Sequence, residues 1–241
     1  MGQKIVCFFL FLLLLVSCGS NRVYRIGIDP TFFPLDLHGS ENNVLGLSID
    51  LLQDLSHKKE LSLATVTTNT NILLWGLNND KYDAIISAMP PYNSLLKTYD
   101  FSDIFLEVGP VLVVRENSEI KTLDDLKGKG AGLQVGSPYQ ELIETAPGVL
   151  ITNFDSIPQG LNDLVKENID VMVIDQLSAT IYIRDLYQNV LKIAGPPLRK
   201  EGLRLVTLKN HVPELLHKFN RGVETMQKDG ELAKLTSKWS L

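Results

Sequence analysis

Short runs of β-branched and aliphatic residues alternate with stretches of helical periodicity along this chain, and that alternation constrains its fold more than any other feature. The apolar runs lie at residues 23–28, 84–86, 111–114, 132–135, 171–174 and 203–207. Parallel strands need long crossover connections, which are usually helices, so alternation of this kind favours largely parallel sheets. The sequence therefore predicts an α/β fold.

Two of the intervening stretches carry apolar residues on one helical face. Ile49, Leu52 and Leu55 define the first face, and Ser48 stands before them, where a helix N-cap is expected. The second stretch opens at Pro213, a residue favoured in the first turn of helices. Its apolar stripe consists of Leu215, Leu216, Phe219, Val223 and Met226. Both stretches are predicted to be helices that pack on a sheet.

Charge and cysteine content exclude several classes of protein. The 241 residues carry 23 Lys and Arg against 28 Asp and Glu, which gives a net charge of −5. Nucleic-acid binders need clustered positive charge, so we expect no nucleic-acid partner. The 2 cysteines are too few for a disulfide scaffold or a thiolate zinc site, and no metal or organic cofactor is implied.

The N-terminal residues have the pattern of a bacterial lipoprotein signal. Lys4 precedes an apolar run from Ile5 to Val16, which is shorter than the roughly 20 residues of a spanning helix. Leu15 to Cys18 resembles a lipobox, in which the cysteine is lipidated and becomes the mature N-terminus. We therefore expect residues 1–17 to be a signal peptide, and a lipid on Cys18 to anchor the protein to a bacterial membrane. An ordinary secretory signal, with Cys18 incidental, is the alternative.

Six segments are similar, in order, to motifs of the type II periplasmic solute-binding proteins for polar amino acids, a family that includes binders of glutamine, cystine and arginine. They are Tyr24 to Pro34, Leu45 to Leu51, Lys81 to Met89, Asp100 to Asp103, Leu123 to Gly128 and Pro213 to Trp239. No single segment is specific, but together they cover nearly the whole chain after its N-terminal signal.

The resemblance implies a two-lobed α/β fold with a two-strand hinge and a ligand cleft between the lobes. Residues 22–109 plus 199–241 would form lobe 1, and residues 110–198 would form lobe 2. Such proteins bind a solute outside the cytoplasm, close over it by a hinge motion, and deliver it to the permease of an ABC importer.

The resemblance also assigns ligand contacts on both sides of the cleft. Asp175 matches an aspartate that pairs with the α-ammonium of the ligand, although an N-cap for the helix that follows is the alternative. Asp29 and Phe32 match a polar contact and an aromatic wall after the first strand. The alternative for Phe32 is a place in the core.

The resemblance implies further contacts at three small residues, and two tyrosines are additional candidates. Ser87 and Ala88 lie where the family offers backbone groups to the ligand, and Ser137 matches a hydroxyl that donates to the carboxylate. Tyr92, like Tyr139, either lines the site or is an exposed aromatic residue in a turn.

Three positions depart from the family pattern. Leu95 stands where the family has an arginine that binds the ligand carboxylate, and Pro138 stands where a hydroxyl or N–H often serves the same group. Leu47 replaces a usual phenylalanine. Leaving a buried carboxylate without its cation costs about 3–5 kcal/mol. Amides, polyamines and small peptides are therefore alternatives to a free amino acid, and a degenerate protein without a solute is another.

The sequence thus predicts an extracytoplasmic substrate-binding lipoprotein of an ABC importer, located in the periplasm or at the cell surface. Its expected partners are an amino acid or amino-acid-like amine, a permease, and the membrane through Cys18; a monomer is expected. Enzyme activity is not expected, because the 4 His form no catalytic constellation. A sensor or hydrolase built on this fold would need a further domain, and we expect none after Leu241.

Overall fold

The computed structural model describes residues 22–32, 35, 37, 39–58 and 61–241. The predicted signal peptide and the lipidation site Cys18 lie outside the described residues.

The strands are β1 Val23–Ile28, β2 Ser62–Thr67, β3 Ala84–Ser87, β4 Tyr99–Phe101, β5 Leu106–Glu107, β6 Pro110–Arg115, β7 Gly130–Gln134, β8 Leu150–Phe154, β9 Val171–Asp175, β10 Leu191–Ala194 and β11 Gly202–Leu208. The helices are α1 Glu41–Lys58, α2 Thr70–Asn78, α3 Gln140–Ile143, α4 Ile157–Val165, α5 Gln176–Leu186, α6 Pro213–Lys228 and α7 Glu231–Lys238. Turns of 3₁₀ helix lie at Leu95–Lys97 and Leu123–Leu126.

The strands form two sheets. The first has the order β2-β1-β3-β11-β4, with β5 also paired to β11, and the second has the order β10-β6-β9-β7-β8. In the first sheet β1 runs parallel to β2 and β3, whereas β11 runs antiparallel to its neighbours. In the second, β7 runs parallel to β8 and β9, and β6 runs antiparallel to β9 and β10. The predicted α/β fold is confirmed. The expectation of largely parallel sheets is wrong, because parallel pairings do not outnumber antiparallel ones in either sheet.

Sheet membership follows the chain in three blocks. The first sheet takes its strands from residues 23–107 and 202–208, and the second takes its strands from residues 110–194. We keep the names lobe 1 and lobe 2 for these sheets with their helices. The predicted lobe boundaries agree with these blocks and stay a prediction.

The chain crosses between the lobes twice, and the two crossings lie side by side. The amide of Val108 donates to the carbonyl of Glu201 at 2.9 Å. Gly109 permits this close approach, because a Cβ atom there would lie 2.1 Å from the carbonyl oxygen of Arg199. The paired crossings lie where the resemblance implies a hinge, and we call them the hinge.

Helices α1 and α6 cover one face of the first sheet. Leu47 and Leu51 of α1 pack with Phe219 and Val223 of α6, and all four are almost completely buried. Each such side chain contributes roughly 1.5–3 kcal/mol by burial. The predicted stripe of α6 is confirmed, with Leu216 only partly buried at its edge.

The predicted N-cap at Ser48 is wrong. Helix α1 begins at Glu41, so Ser48 lies in its interior, completely buried, and donates from its hydroxyl to the carbonyl of Val44 at 2.7 Å. A serine inside a helix commonly satisfies its hydroxyl in this way. Of the predicted face, Leu52 and Leu55 are buried.

The C-terminal segment is held against α1. The indole of Trp239 covers Gly46, where a Cβ atom would lie 2.2 Å from the ring. The indole N–H donates to the Asp50 carboxylate at 2.8 Å, and the Asn43 side chain donates to the Trp239 carbonyl at 2.7 Å. These contacts explain why a glycine lies inside α1.

Asp83 is a buried carboxylate that joins the start of β1 to the segment just before β3. It accepts from the Arg22 guanidinium at 2.6 Å and from the Arg25 amide at 2.8 Å. Burial raises the pKa of Asp83, but the hydrogen bonds from Arg25 and Arg22 outweigh it and hold the pKa below its ordinary value.

We expect Asp83→Asn to lower the free energy of unfolding by about 1.5–3 kcal/mol at pH 7, the usual worth of hydrogen bonds to a charged group. Because the pKa of Asp83 is lower in the folded state, its contribution is complete above the unfolded pKa of about 3.9 and is lost as the pH falls through the folded value. Urea unfolding at pH 7 and pH 3 measures this, and the difference between variant and wild type should shrink at pH 3. Asp80→Asn, at a side chain that is 71% exposed, is the control. A difference that does not change with pH would contradict the prediction.

Candidate functional site

A cavity of about 670 Å³ opens between the two lobes. Leu35 and Tyr92 line it from lobe 1, the segment 134–139 and the end of β9 line it from lobe 2, and Val108 lines it from the hinge. The carboxyl ends of β7 and β9 therefore meet at this cavity, as expected for ligand sites in α/β sheets.

Asp175 occupies the end of β9 and lines the cavity. Its carboxylate also accepts a hydrogen bond from the Ser178 amide at 2.8 Å and so caps α5. The ligand contact and the N-cap, which were alternatives in the sequence, are thus compatible. The helix N-terminus fixes the carboxylate, and the same residue faces the cleft.

Two further predicted residues lie at the cavity. Ser137 follows the left-handed Gly136, and its hydroxyl oxygen accepts from the Tyr139 amide at 3.3 Å. Tyr92 lines the opposite wall and is 65% exposed. The structure therefore brings together Asp175, Ser137 and Tyr92 around one space.

Ser87 and Ala88 lie at the end of β3, outside the set of residues that line the cavity. The Ser87 hydroxyl oxygen accepts from the Met89 amide at 3.1 Å, and Ala88 packs against the core of lobe 1. Both are half-buried.

Asp29 and Phe32 are buried within lobe 1 in this structure. The Asp29 carboxylate accepts from the amide of Thr31 at 3.0 Å and from the hydroxyls of Thr31 and Thr70, so it ties the end of β1 to the start of α2. Phe32 has a positive φ of 52° and is 4% exposed among the apolar residues under α1 and α6. This position agrees with the core interpretation of Phe32.

A charged pair that sequence reasoning missed lies at the hinge side of the cavity. The Arg199 guanidinium pairs with the Glu201 carboxylate at 3.1 Å and lies over the ring of Tyr139, 5.7 Å from its centroid. Their position just after Gly195-Pro196-Pro197, where the chain breaks from lobe 2, was the available signal.

Tyr139 is held in its neutral form. Burial, together with the negative charges of Asp175 and Glu201, raises the pKa of Tyr139 well above its ordinary value, and Arg199 opposes this only in part. A neutral phenol can donate a hydrogen bond to a ligand oxygen. With Asp175, Glu201 and Arg199, the described lining carries two carboxylates and one guanidinium, a balance that favours a cationic group in the ligand.

Within the described residues, no group of three or more His, Cys, Asp and Glu side chains is arranged to hold a metal ion. No helix in that part of the chain is long and apolar enough to cross a membrane.

Two lobes joined by paired crossings around a polar cleft define the class of two-lobed solute-binding proteins. Residues 24–241 match the model of the bacterial extracellular solute-binding proteins, family 3, and the chain belongs to this family.

Known relatives bind amino acids. The L-cystine-binding protein TcyJ of Escherichia coli K12 is 28% identical over 217 residues, which cover 89% of this chain and 81% of the relative. The arginine-binding extracellular protein ArtP of Bacillus subtilis is 26% identical over 239 residues, which cover 93% and 92%. The unliganded open form of the L-cystine solute receptor of Neisseria gonorrhoeae superimposes with a TM-score of 0.70 at 23% identity, covering 91% of this chain and 93% of the receptor, and shows the same fold.

Proposed function

We propose that this protein is the extracytoplasmic substrate-binding component of an ABC importer and that it binds an amino acid or amino-acid-like amine between its lobes. The observation that carries the proposal is the interlobe cavity, with the Asp175 carboxylate fixed at its wall. Relatives named for the binding of cystine and arginine support an amino acid as the solute.

The charges of the cavity favour a ligand that carries an ammonium group. A carboxylate that is already oriented by a helix N-cap can accept a charge-assisted hydrogen bond from an ammonium without losing further side-chain entropy. On the hinge side Glu201 is paired with Arg199 at 3.1 Å, so Asp175 leaves the cavity lining with a net negative charge, and the Tyr139 phenol supplies a donor. Ligand atoms at this point would contact lobe 2 and the hinge together.

Closure of the lobes is the proposed consequence of binding. A ligand can shift an open–closed equilibrium only by its differential affinity for the two states. A solute that touches Tyr92 of lobe 1 and Asp175 of lobe 2 would bind the closed state more tightly than the open one, because only closing the lobes brings both walls into contact with it. The permease would then recognise the closed form.

The lipid anchor is part of the same proposal. Its support is the order of Lys4, the apolar run from Ile5 to Val16, and the lipobox that ends at Cys18. A lipid on Cys18 would hold a monomeric binding protein at the outer side of a membrane, beside the permease.

We expect free amino acids to stabilise the protein in a thermal-shift screen after any carried ligand has been removed by unfolding and refolding. The panel contains the twenty common amino acids and L-cystine, each beside its α-amide, with short peptides and polyamines. A ligand at a hundred times its dissociation constant adds about 2.7 kcal/mol, which raises Tm by about 5–10 °C in a protein of this size. If no compound on the panel raises Tm, the proposed function is wrong.

A further inference from the structure

Arg204 of β11 is a buried cation that the proposed function has not used. Its residue is only 7% exposed, and its Nε atom is buried without a hydrogen-bond partner in the described part of the chain. Burial lowers the pKa of Arg204, and the charge of Asp103 opposes this effect without a hydrogen bond. A guanidinium keeps its charge in proteins, so this side chain bears a desolvation cost that Asp103 offsets only in part.

An anion bound beside Arg204 would relieve that cost. Buried charges in proteins are normally paired or hydrogen-bonded, and a guanidinium fits a carboxylate through two parallel hydrogen bonds. Arg199 has no such need, since its guanidinium already pairs with Glu201 at 3.1 Å and lies over Tyr139. Of these two arginines, Arg204 is the one that has no counter-charge in hydrogen-bonding contact among the described residues.

Strand register places Arg204 next to the end of β3. Its Cα pairs with that of Ser87, the last residue of β3, where the resemblance implies backbone contacts to the ligand. β11 begins at Gly202, directly after the cavity-lining Glu201. At about 3.4 Å per residue, the Cα of Arg204 lies about 10 Å along the strand from that of Glu201.

Arg204 also shares a sheet face with Leu95. Successive side chains of a strand point to opposite faces, and Leu203 and Leu205 belong to the core under α1 and α6. Arg204 therefore points to the other face with Val206, and Leu95 packs against the cluster that contains Val206. Leu95 is the position at which the family has its carboxylate-binding arginine.

We infer that Arg204 binds the carboxylate of the amino acid ligand and takes the role of the arginine that Leu95 replaces. This inference rests on the proposed function. Arg204 does not line the cavity in this structure, so the inference includes a turn of its side chain past Ser87 toward the cleft when the ligand binds. It reverses the expectation from Leu95 alone, because free amino acids, rather than their amides, become the preferred ligands.

The test compares wild type with Arg204→Met by isothermal titration, using the free amino acids of the thermal-shift panel that stabilise the wild type and the α-amide of each. We expect the wild type to bind the free amino acid at least 100-fold more tightly than its amide. In Arg204→Met this ratio should fall to within a few-fold, while affinity for the amide stays the same. Arg204→Lys, which keeps a positive charge, should retain part of the preference.

Stability of the ligand-free protein supplies an independent measurement. Methionine removes the buried charge at similar length, so Arg204→Met should raise the Tm of the stripped protein. If Arg204 had only a structural role, its replacement would lower this Tm. Arg221→Met, at an exposed position of α6, is the matched control and should change neither the preference nor Tm.

The outcomes separate the inference from the proposed function. If the wild type binds no compound on the panel, both fail. If it binds only amides, peptides or polyamines, the inference fails and the proposed function stands. If the wild type binds free amino acids and Arg204→Met keeps their preference over amides, the inference alone fails. It also fails if Arg199→Met, rather than Arg204→Met, abolishes the preference for the free acid. A third contrary result is an Arg204→Met variant that has a lower Tm than the wild type and binds both the free acid and the amide more weakly than the wild type does.

Discussion

Replacing Asp175 by asparagine is expected to weaken amino acid binding by about two to three orders of magnitude. In the proposed closed complex the substitution would leave the ligand ammonium without its counter-charge, and breaking a buried pair in this way costs about 3–5 kcal/mol. Isothermal titration with the free amino acids of the thermal-shift panel that stabilise the wild type measures the loss. Stability should change little, because the asparagine oxygen can still accept the Ser178 amide that Asp175 accepts at 2.8 Å.

An alanine variant separates the two roles of this carboxylate. Asp175→Ala should lose binding to the same extent and should also lower the free energy of unfolding by about 1 kcal/mol, since it removes the cap of α5. Asp185→Asn, at a side chain that is 50% exposed at the other end of the same helix, is the matched control. An asparagine variant that binds within threefold of the wild type would show that Asp175 serves only as a cap.

A methyl group at Gly109 is expected to disturb the hinge strongly. The Cβ atom of Gly109→Ala would lie 2.1 Å from the carbonyl oxygen of Arg199, and the three atoms nearest to it all belong to the backbone of Arg199 and Glu201. The two crossings must therefore separate. We expect a loss of about 1–3 kcal/mol in the free energy of unfolding, as for other overpacked sites.

Ligand binding should weaken in the same variant, because the displaced segment carries Arg199 and Glu201 of the cavity wall. Urea unfolding measures the stability, and titration with the same amino acid measures the affinity. Gly130→Ala is the matched control, since the nearest atom to its Cβ would be 3.5 Å away, an ordinary contact. If both variants behave like the wild type, the hinge tolerates separation and the prediction is wrong.

The central strands were predictable from the sequence, and the outer ones were not. The six apolar runs correspond to β1, β3, β6, β7, β9 and β11, each of which has neighbours on both sides in its sheet. The missed strands are β2, β4, β5, β8 and β10. β2 has no buried residue, so its side chains need not be apolar, and β5 has only 2 residues. Strands of this kind owe their pairing to tertiary contacts, which local patterns do not record.

The start of α1 was missed for a related reason. Val44 and Leu47 continue its apolar face, but Gly46 between them is typical of a break in a helix. The Trp239 ring that occupies the space above Gly46 comes from the far end of the sequence. Ser48 therefore resembled a helix start in the sequence although it lies well inside the helix.

A residue of the candidate site was predictable where its position depends only on the end of one strand. Asp175 and Ser137 follow strands whose carboxyl ends face the cavity, and both line it. Arg199 and Glu201 could not be placed in this way, since their position depends on the pairing of two crossings that are distant in sequence. Asp29 matched the family motif, yet the structure engages its carboxylate with Thr31 and Thr70.

The insertion of β11 between β3 and β4 has a consequence for the order of folding. The second sheet takes all its strands from residues 110–194, whereas the first sheet lacks an interior strand until residues 202–208 arrive. A chain that emerges N-terminus first, from a ribosome or a translocon, can thus complete the second sheet before the first sheet has received β11. The long loop that β11 must close adds an entropic barrier of its own. The first sheet of such a topology therefore cannot be completed before synthesis of the chain is nearly finished.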